Sequence, residues 1–179
     1  MFQTDAMQLT SITRASERDL PLLSEIGKNS FIESHGTSAP IADITKYLEQ
    51  KFTFEVLQEE LKDQNNIYYI IYYDKRPAGY SKILFNSPHS NIPQKNVTKL
   101  ERLYLLKEFY NLKLGLGLLN FNIDLSKRND QAGMWLFVWK GNPKAFNFYS
   151  KNGFNVIGSY DFQLTETHSN PNHQMFLEY

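Results

Sequence analysis

The sequence predicts an α/β domain with a mixed sheet flanked by helices, and three observations predict it. Met134–Trp139 is apolar at every position, which is typical of a central strand covered on both faces. A predicted helix, Gly115–Arg128, separates this strand from Leu100–Leu105, so the two strands are expected to be parallel neighbours. Aromatic and β-branched residues on both sides of the turn at Asp74–Pro77 predict a hairpin in the same sheet.

The first half of the chain is predicted to form a strand, three helices and the hairpin. Ser16–Asp19 precedes leucines at helical spacing, a pattern typical of a capped amphipathic helix. The predicted elements are a strand at Leu9–Ala15, helices from Ser16 toward Ser34, at Ile41–Lys51 and at Thr53–Lys62, and strands at Ile67–Tyr73 and Gly79–Phe85. The first few residues are expected to be loosely ordered.

The second half is predicted to alternate strands and helices after a long loop. Asn86–Asn96 is rich in Pro, Ser and Asn, which is typical of a loop. The strands are predicted at Leu100–Leu105, Met134–Trp139, Val156–Phe162 and Gln174–Leu177, and the helices at Gly115–Arg128 and Asn142–Asn152.

Length and charge restrict the function classes. The 179 residues suit a single domain, residues 1–179. Nineteen basic residues balance nineteen acidic ones, whereas a duplex-binding protein needs a basic surplus, so no nucleic-acid partner is expected. No apolar run is long enough to span a membrane and no signal-peptide pattern opens the chain, so a cytoplasmic protein without a membrane partner is expected.

The chain offers no pattern for a metal site or a disulfide. It contains no cysteine, which excludes a disulfide framework and a cysteine-ligated metal. Its four histidines, His35, His89, His168 and His173, lack the spacing of a zinc site. The sequence therefore predicts a protein that works without a metal.

The stretch from Leu100 to Phe154 brings strand, turn, helix, strand and helix together in one run. A turn that leads into a helix binds anions, because the first N–H groups of the helix are free and the helix dipole points at the ligand. Ligands in open α/β sheets bind beyond the carboxyl ends of the strands, which is where this turn lies. This order predicts a site for a pyrophosphate-bearing cofactor with a reactive group further in.

The same stretch resembles a known family. Its strings Leu100–Leu105, Tyr110–Gly117 and Asn142–Phe154 resemble the GNAT superfamily of acyl-CoA-dependent N-acetyltransferases, most closely its bacterial spermidine/spermine branch. The resemblance implies a mostly antiparallel central sheet flanked by helices, in which two parallel central strands splay to admit acyl-CoA. It implies an acyl-CoA-binding core at about residues 97–162.

The N-terminal part is similar to the same branch at Phe31–Gly36, Tyr47–Leu48 and Glu59–Leu61. The resemblance implies that helices at about residues 16–62 form the acceptor side.

The glycine motif of the family can be placed on this chain in two ways. Members carry Gln or Arg, two residues, Gly, one residue, then Gly or Ala. An ungapped count puts Tyr110 at the first position, Lys113 at the first glycine and Gly115 at the second. A shift by two matches Gly115 and Gly117 but puts Leu112 at the polar position. We prefer the ungapped count, because it also keeps the leucines that follow on the core face of the helix.

The resemblance implies a set of cofactor-binding residues around this turn. Lys113 departs from the family glycine, which lets backbone approach phosphate closely, and its cationic side chain could offset that loss. Asn142 is by itself a helix N-cap before proline, and in the family it also bonds the pantetheine arm. Lys151 is either exposed to solvent or a phosphate contact. The full set is Leu103, Tyr104, Leu105, Tyr110, Asn111, Leu112, Lys113, Leu114, Gly115, Asn142 and Lys151.

Two residues are implied as catalytic. Tyr149 is either a core aromatic or, as the family string implies, a hydroxyl aimed at the thioester sulfur. Glu101 is either a sheet residue paired with Arg102 or Lys99, an arrangement of small energetic worth, or the base that accepts the amine proton through water. Backbone N–H groups of Leu103 or Leu105 would stabilise the oxyanion.

The predicted activity is transfer of an acetyl group from acetyl-CoA, as co-substrate, to a primary amine of a small molecule. A polyamine is favoured, because carboxylates on the acceptor helices could attract a polycation, although each could equally be solvated. These carboxylates are Glu33, Asp43, Glu49 and Glu55. The alternatives are an acetyltransferase of protein N-termini or lysines, and a binding module that retains acyl-CoA without turnover. A homodimer is left open.

Overall fold

A computed structural model describes residues 9–179 of the protein. The strands are β1 (Thr10–Arg14), β2 (Ile67–Tyr73), β3 (Arg76–Leu84), β4 (Thr98–Leu105), β5 (Gly133–Trp139), β6 (Asn155–Gln163) and β7 (Ser169–Glu178). The helices are α1 (Leu20–His35), α2 (Ile41–Lys51), α3 (Phe54–Lys62), α4 (Leu114–Arg128) and α5 (Pro143–Lys151). Each element predicted from the sequence is present, and the expectation for the first few residues lies outside the described part of the chain.

The seven strands form one mixed sheet in the order β1-β2-β3-β4-β5-β7-β6. Within residues 9–179, β4 and β5 are the one parallel pair, and the other neighbours are antiparallel. The parallel pairing is short, since it joins only Thr98 to Met134 and Lys99 to Trp135. The predicted mixed sheet is therefore confirmed, and its two central strands separate after the second pair.

Strand β7 is longer than the sequence predicts, because it begins at Ser169 rather than Gln174. Asn170, Asn172 and Gln174 alternate along it and are all buried. Their polar side chains give the segment the composition of a loop. The backbone of this segment nevertheless pairs with β5 on one side and with β6 on the other. Tertiary context therefore overrides the local preference for a loop.

A β-bulge in β4 changes which side chains face each side of the sheet. The pairing of β4 with β3 passes from Leu100 to Arg102, which leaves Glu101 without a partner. Such an extra residue breaks the alternation of side chains. Leu100 and Leu103 pack in the core beside α4 and α5, whereas Glu101 and Arg102 both form ion pairs on the opposite face.

The sheet is covered on both faces by apolar clusters. On one face, Leu119 of α4 and Ala145 of α5 pack against Leu100 and Met134. On the other, α1, α2 and α3 cover β2, β3 and β4 through two apolar clusters. One contains Leu23, and the other contains the aromatic rings of Phe31, Tyr47 and Phe52. We call the two faces the α4–α5 face and the α1–α3 face.

Candidate active site

A cavity of about 1070 Å³ lies where β4 and β5 separate. Its lining comes from both faces of the sheet. On the α4–α5 face it includes Leu103, Leu105, Phe148 and Tyr149, and on the α1–α3 face Phe31, Tyr47, Arg102 and Tyr104. The cavity therefore passes through the sheet, and two molecules that enter from opposite faces can meet in the gap.

The turn before α4 is built to receive an anion. α4 begins at Leu114, and no side chain caps its N-terminus, so the first N–H groups of the helix are free to bind a ligand. A Cβ atom added to Gly115 would meet nothing within 4 Å, and Gly115 lines the cavity. The space above this glycine is open to a phosphate, and the residues present therefore fit the pyrophosphate of acyl-CoA.

Lys113 adopts the backbone conformation that glycine favours. Its φ is 60° and it is the N-cap of α4, a left-handed conformation that costs a non-glycine residue about 1–2 kcal/mol. Neither Gly115 nor Gly117 has a positive φ. The left-handed position thus coincides with the place that the ungapped count assigns to the first glycine of the motif, and this agreement supports that count.

Three lysines from the turn and from α5 face the cavity. Lys113, Lys144 and Lys151 all line the cavity, and the Nζ of Lys144 lies 4.2 Å from the centre of the Tyr110 ring. Asn111, with φ of 68°, lines the same wall. Leu112 is 42% exposed and is not a lining residue, which leaves Leu112 as the one member of the predicted cofactor set outside the cavity wall.

Asn142 precedes α5 as its N-cap residue. Its Oδ1 accepts a hydrogen bond from the Ala145 N–H at 3.0 Å, and Pro143 follows at the first helical position. The N-cap role predicted from the sequence is present, and Asn142 also borders the cavity. Both roles assigned to this residue are therefore compatible with its position.

Tyr149 lies on α5 at the gap between the strands. Its ring packs against Phe154 with the ring centres 5.5 Å apart, and the residue lines the cavity. Burial raises the pKa of its hydroxyl above the usual value. Tyr149 is consequently protonated at neutral pH and can donate a hydrogen bond to a group in the gap.

Glu101 reaches the cavity from the bulge, but it is held in two ion pairs. Its carboxylate lies 2.8 Å from the Nζ of Lys82 and 3.4 Å from that of Lys99. Burial alone would raise its pKa, yet Lys82 and Lys99 outweigh burial and lower that pKa to about 2. The partner Lys99 matches the ion-pair alternative considered from the sequence, whereas Lys82 was not foreseen. A carboxylate so strongly stabilised as an anion is a weak proton acceptor.

The bulge also joins Glu101 to a buried network that sequence reasoning missed. Lys82, with a side chain 4% exposed, contacts Glu60 of α3 at 3.1 Å. Arg102, 6% exposed, contacts Glu60 at 3.0 Å and the hydroxyl of Tyr68 at 2.8 Å. Lys82 and Arg102 were the signal in the sequence that could have predicted this network. A charged residue in a buried strand requires a partner, because burying an unpaired charge is costly.

Aromatic rings form the rest of the α1–α3 wall. His35 stacks on Phe31 at 4.8 Å between ring centres and lies 5.6 Å from Trp139. Its Nδ1 lies 2.7 Å from the Ser34 Oγ, and burial lowers the pKa of its imidazole to about 4. His35 is therefore neutral at neutral pH, and sequence reasoning assigned it no role.

The carboxylates expected to attract a polycation are mostly outside the cavity. Among the four, only Glu33 is a lining residue, and it accepts the backbone N–H of Lys107 at 2.8 Å. Asp43 accepts a hydrogen bond from Thr165 at 2.8 Å. Glu49 and Glu55 are exposed on α2 and α3, which agrees with the alternative that they are solvated.

The described residues form neither a metal-binding cluster nor a membrane-spanning helix. In residues 9–179 no group of three or more His, Asp or Glu side chains is arranged to hold a metal ion. Within the same range no helix has the length and apolar character that crossing a membrane requires.

Sequence comparisons identify relatives along most of the chain. Residues 30–154 match the family model described as the acetyltransferase (GNAT) family. An uncharacterized N-acetyltransferase in the pepI 3′ region of Lactobacillus delbrueckii subsp. lactis is 29% identical over 153 residues, covering 86% of this chain and 88% of that protein. The spermidine N(1)-acetyltransferase of Thermoplasma acidophilum is 26% identical over 149 residues, covering 81% of this chain and 88% of that protein.

Solved structures share the fold. The PaiA N-acetyltransferase from Thermoplasma acidophilum, in complex with coenzyme A, matches with a TM-score of 0.76 and 24% identity over 95% of this chain and 99% of that one. The ribosomal-protein-S18-alanine N-acetyltransferase from Escherichia coli matches with a TM-score of 0.69 and 16% identity over 94% and 93% of the two chains. At these identities the comparison establishes the fold.

Proposed function

We propose that this chain, which belongs to the acetyltransferase (GNAT) family, uses acetyl-CoA to acetylate a primary amine of a small molecule. The observation that carries the proposal is the cavity through the sheet, with free helix N–H groups on the α4–α5 face and an aromatic wall on the α1–α3 face. Acetyl-CoA supplies the activated acetyl group, and the residues around the gap bind and orient both substrates.

On the α4–α5 face, the chain would hold the cofactor through backbone and lysine contacts. The N–H groups from Lys113 to Gly115 would bind the pyrophosphate, and the lysines around the turn would add charge-assisted contacts. Asn142 would bond the pantetheine arm. The backbone N–H groups of Leu103 or Leu105, which border the gap, would donate to the oxyanion.

Tyr149 is the proposed donor to the departing sulfur. Its raised pKa keeps the hydroxyl protonated, and its packing against Phe154 holds the ring in place. A hydrogen bond that strengthens as negative charge develops on sulfur lowers the barrier of the chemical step rather than the cost of binding.

Glu101 has two candidate roles in this proposal. As a base, it would accept the amine proton through water. As a fixed negative charge, it would attract the ammonium form of the acceptor to the gap. A pKa of about 2 gives little driving force for proton transfer, so the second role has the stronger support, and the amine then loses its proton to solvent.

The observations that support this proposal restrict the identity of the acceptor less than that of the cofactor. A polyamine is supported by the 26% identity to a spermidine N(1)-acetyltransferase, but not by the acceptor carboxylates, most of which lie outside the cavity. A peptide or protein acceptor needs an open groove, whereas α1 and α2 pack over the gap. A binding module without turnover remains the alternative that an assay decides.

The experiment that tests the proposal is a thiol-release assay with acetyl-CoA. Polyamines, amino acids, aminoglycosides and short peptides are offered as acceptors, and CoA binding is followed in parallel by thermal shift. We expect CoA to raise the melting temperature and at least one amine to release thiol. Binding without turnover on any amine would indicate the non-catalytic module, and absence of both would contradict the proposal.

A further inference from the structure

Five charged side chains on the α1–α3 face of the sheet carry a net positive charge, and all of them except Lys82, which is 4% exposed, line the cavity. They form one connected network of Lys82, Lys99, Arg102, Glu60 and Glu101. Three cations thus face two carboxylates. Burial opposes ionisation of both carboxylates, but the neighbouring cations outweigh it and hold both pKa values below the usual range. At neutral pH the network therefore has one excess positive charge.

Lys99 is the member of this network whose positive charge is least compensated by carboxylates. Its Nζ lies 3.4 Å from Glu101, and within residues 9–179 no other carboxylate is within 4 Å of it. Lys82 contacts two carboxylates at shorter distances. The Nζ of Lys99 also lies 5.3 and 5.6 Å from the ring centres of Trp135 and Phe137. Because an ammonium has three donors and Lys99 lines the cavity, it can bind an anion there.

The remaining charged groups around the α1–α3 side do not cancel this charge. Burial, and then the charge of Glu33, raise the pKa of Tyr110, and Glu33 also accepts the Lys107 N–H. Both contacts place Glu33 beside the turn that precedes α4. Lys51, at the end of α2, also lines the cavity and adds a cation. His35 is neutral at neutral pH.

We infer that the acceptor is an amine that also carries a carboxylate, with the carboxylate bound at Lys99 and the amine directed past Glu101 to the gap between β4 and β5. This inference rests on the proposed function. The aromatic wall would contact the apolar part of the molecule. A polyamine would instead bring a second cation to a site that already has a cationic excess, and like charges in contact disfavour binding.

The position of Lys99 along β4 also sets the length of the acceptor. Lys99 lies four residues before Leu103, which borders the gap, and at a rise of about 3.3 Å per residue this is roughly 13 Å of strand. The lysine side chain can shorten this span, but several bonds must still separate the amine from the carboxylate. An amine with a distant carboxylate fits better than a free α-amino acid.

Three acceptors with the same six-carbon chain test the inference, because they differ only at the far end. They are 6-aminohexanoate, hexylamine and 1,6-diaminohexane, which end in a carboxylate, a methyl group and an ammonium. Thiol release gives kcat/KM for each, and calorimetry gives binding of each to the CoA complex. We expect the carboxylate compound to exceed the methyl compound by about tenfold, since a charged hydrogen bond is worth roughly 1.4 kcal/mol or more, and the ammonium compound to be the poorest.

Variants of Lys99 locate the effect. Lys99→Gln should remove most of the advantage of the carboxylate compound, and Lys99→Glu should reverse the order in favour of 1,6-diaminohexane. Lys95→Glu is the matched control, because Lys95 is exposed and outside the cavity wall and its substitution changes the net charge of the protein equally. This control should keep the order of the wild type.

Each outcome bears on the inference. A wild-type preference for 1,6-diaminohexane, an unchanged order in Lys99→Glu, or a carboxylate compound that neither reacts with nor binds the CoA complex would overturn it. CoA binding and thiol release with any amine report separately on the proposed function. If CoA binds and a diamine is preferred, the inference fails and the proposed function stands. If CoA does not bind, the proposed function fails.

Discussion

On the α4–α5 face the cavity is lined by backbone N–H groups at the start of α4 and by the first turn of α5, whereas on the α1–α3 face it is lined by aromatic rings and charged side chains. The residues of the first wall lie between Leu103 and Lys151 along one continuous stretch. Those of the second come from α1, α2, α3, β4 and β5. The wall proposed to bind the cofactor, the proposed cofactor wall, is thus built from local backbone geometry. The wall proposed to bind the acceptor, the proposed acceptor wall, is built from long-range side-chain contacts.

Because the two walls are built differently, the cofactor and the acceptor would be bound by different kinds of contact. Backbone N–H groups donate hydrogen bonds to any phosphate of suitable shape, so substitutions in the proposed cofactor wall would act through the space and the backbone conformation that they change. In the proposed acceptor wall, specificity would depend on which charges remain unpaired after the buried network has formed. Changes there act on stability and on substrate choice together, because the same side chains serve both.

The largest effect is expected from breaking the buried network. Arg102→Met removes a guanidinium that is 6% exposed from Glu60 and from the Tyr68 hydroxyl, and it leaves Lys82 as the remaining cation beside Glu60. Breaking this buried ion pair should lower the free energy of unfolding by about 3–5 kcal/mol. Arg76→Met is a matched control, because Arg76 pairs with Glu108 on the surface. Each arginine also lies over a phenylalanine ring, at 5.1 Å for Arg102 and 4.9 Å for Arg76.

Denaturant unfolding measures both variants. The surface pair should contribute less than about 1 kcal/mol. Equal losses of unfolding free energy in the two variants would mean that burial does not strengthen the contacts of Arg102.

Tyr149→Phe tests whether the Tyr149 hydroxyl acts in the chemical step. The substitution removes a hydroxyl and keeps the ring that packs on Phe154, so the fold should survive. We expect kcat and kcat/KM to fall together by about 10²-fold, the lower end of the range for a positioned acid, with CoA affinity unchanged. A variant with full activity and unchanged stability would return Tyr149 to a packing role.

Glu101→Gln separates the two roles proposed for the carboxylate. If Glu101 attracts the ammonium form of the acceptor, KM should rise while kcat changes little. If it accepts the proton, kcat should fall by about 10²–10⁴-fold. In both cases wild-type activity should rise with pH toward the amine pKa, as the fraction of free amine increases. Initial rates across pH for both proteins distinguish the roles, and constants unchanged in Glu101→Gln would exclude both.

Acid should weaken the fold through His35. Its pKa is lowered from about 6.5 to about 4 in the folded state, so the unfolded chain binds its proton first. This contribution to stability is complete above pH 6.5 and declines as pH falls toward 4. His35→Gln should flatten the loss of stability in that window, measured by denaturant unfolding at several pH values. An unchanged slope would mean that another group causes the acid sensitivity.

Local signals made the structural elements of the proposed cofactor wall predictable from the sequence. Asn142 before a proline, apolar Met134–Trp139 and the turn before α4 each indicate structure within a few residues. The proposed acceptor wall has no such signal, because the contact between Glu60 and Arg102 depends on how α3 packs on the sheet. The bulge that turns Glu101 and Arg102 to one face likewise depends on strand pairing, and the polar start of β7 was missed for the same reason.

CoA titration of two glycine variants tests the central claim most directly. Gly115 and Gly117 lie two residues apart on α4, and a Cβ atom added to either meets nothing within 4 Å, yet only Gly115 lines the cavity. We predict that Gly115→Val loses at least about tenfold in CoA affinity, ~1.4 kcal/mol, while Gly117→Val binds CoA as the wild type does. Equal affinities in the two variants, or a loss confined to Gly117→Val, would contradict a pyrophosphate site at the start of α4 as described.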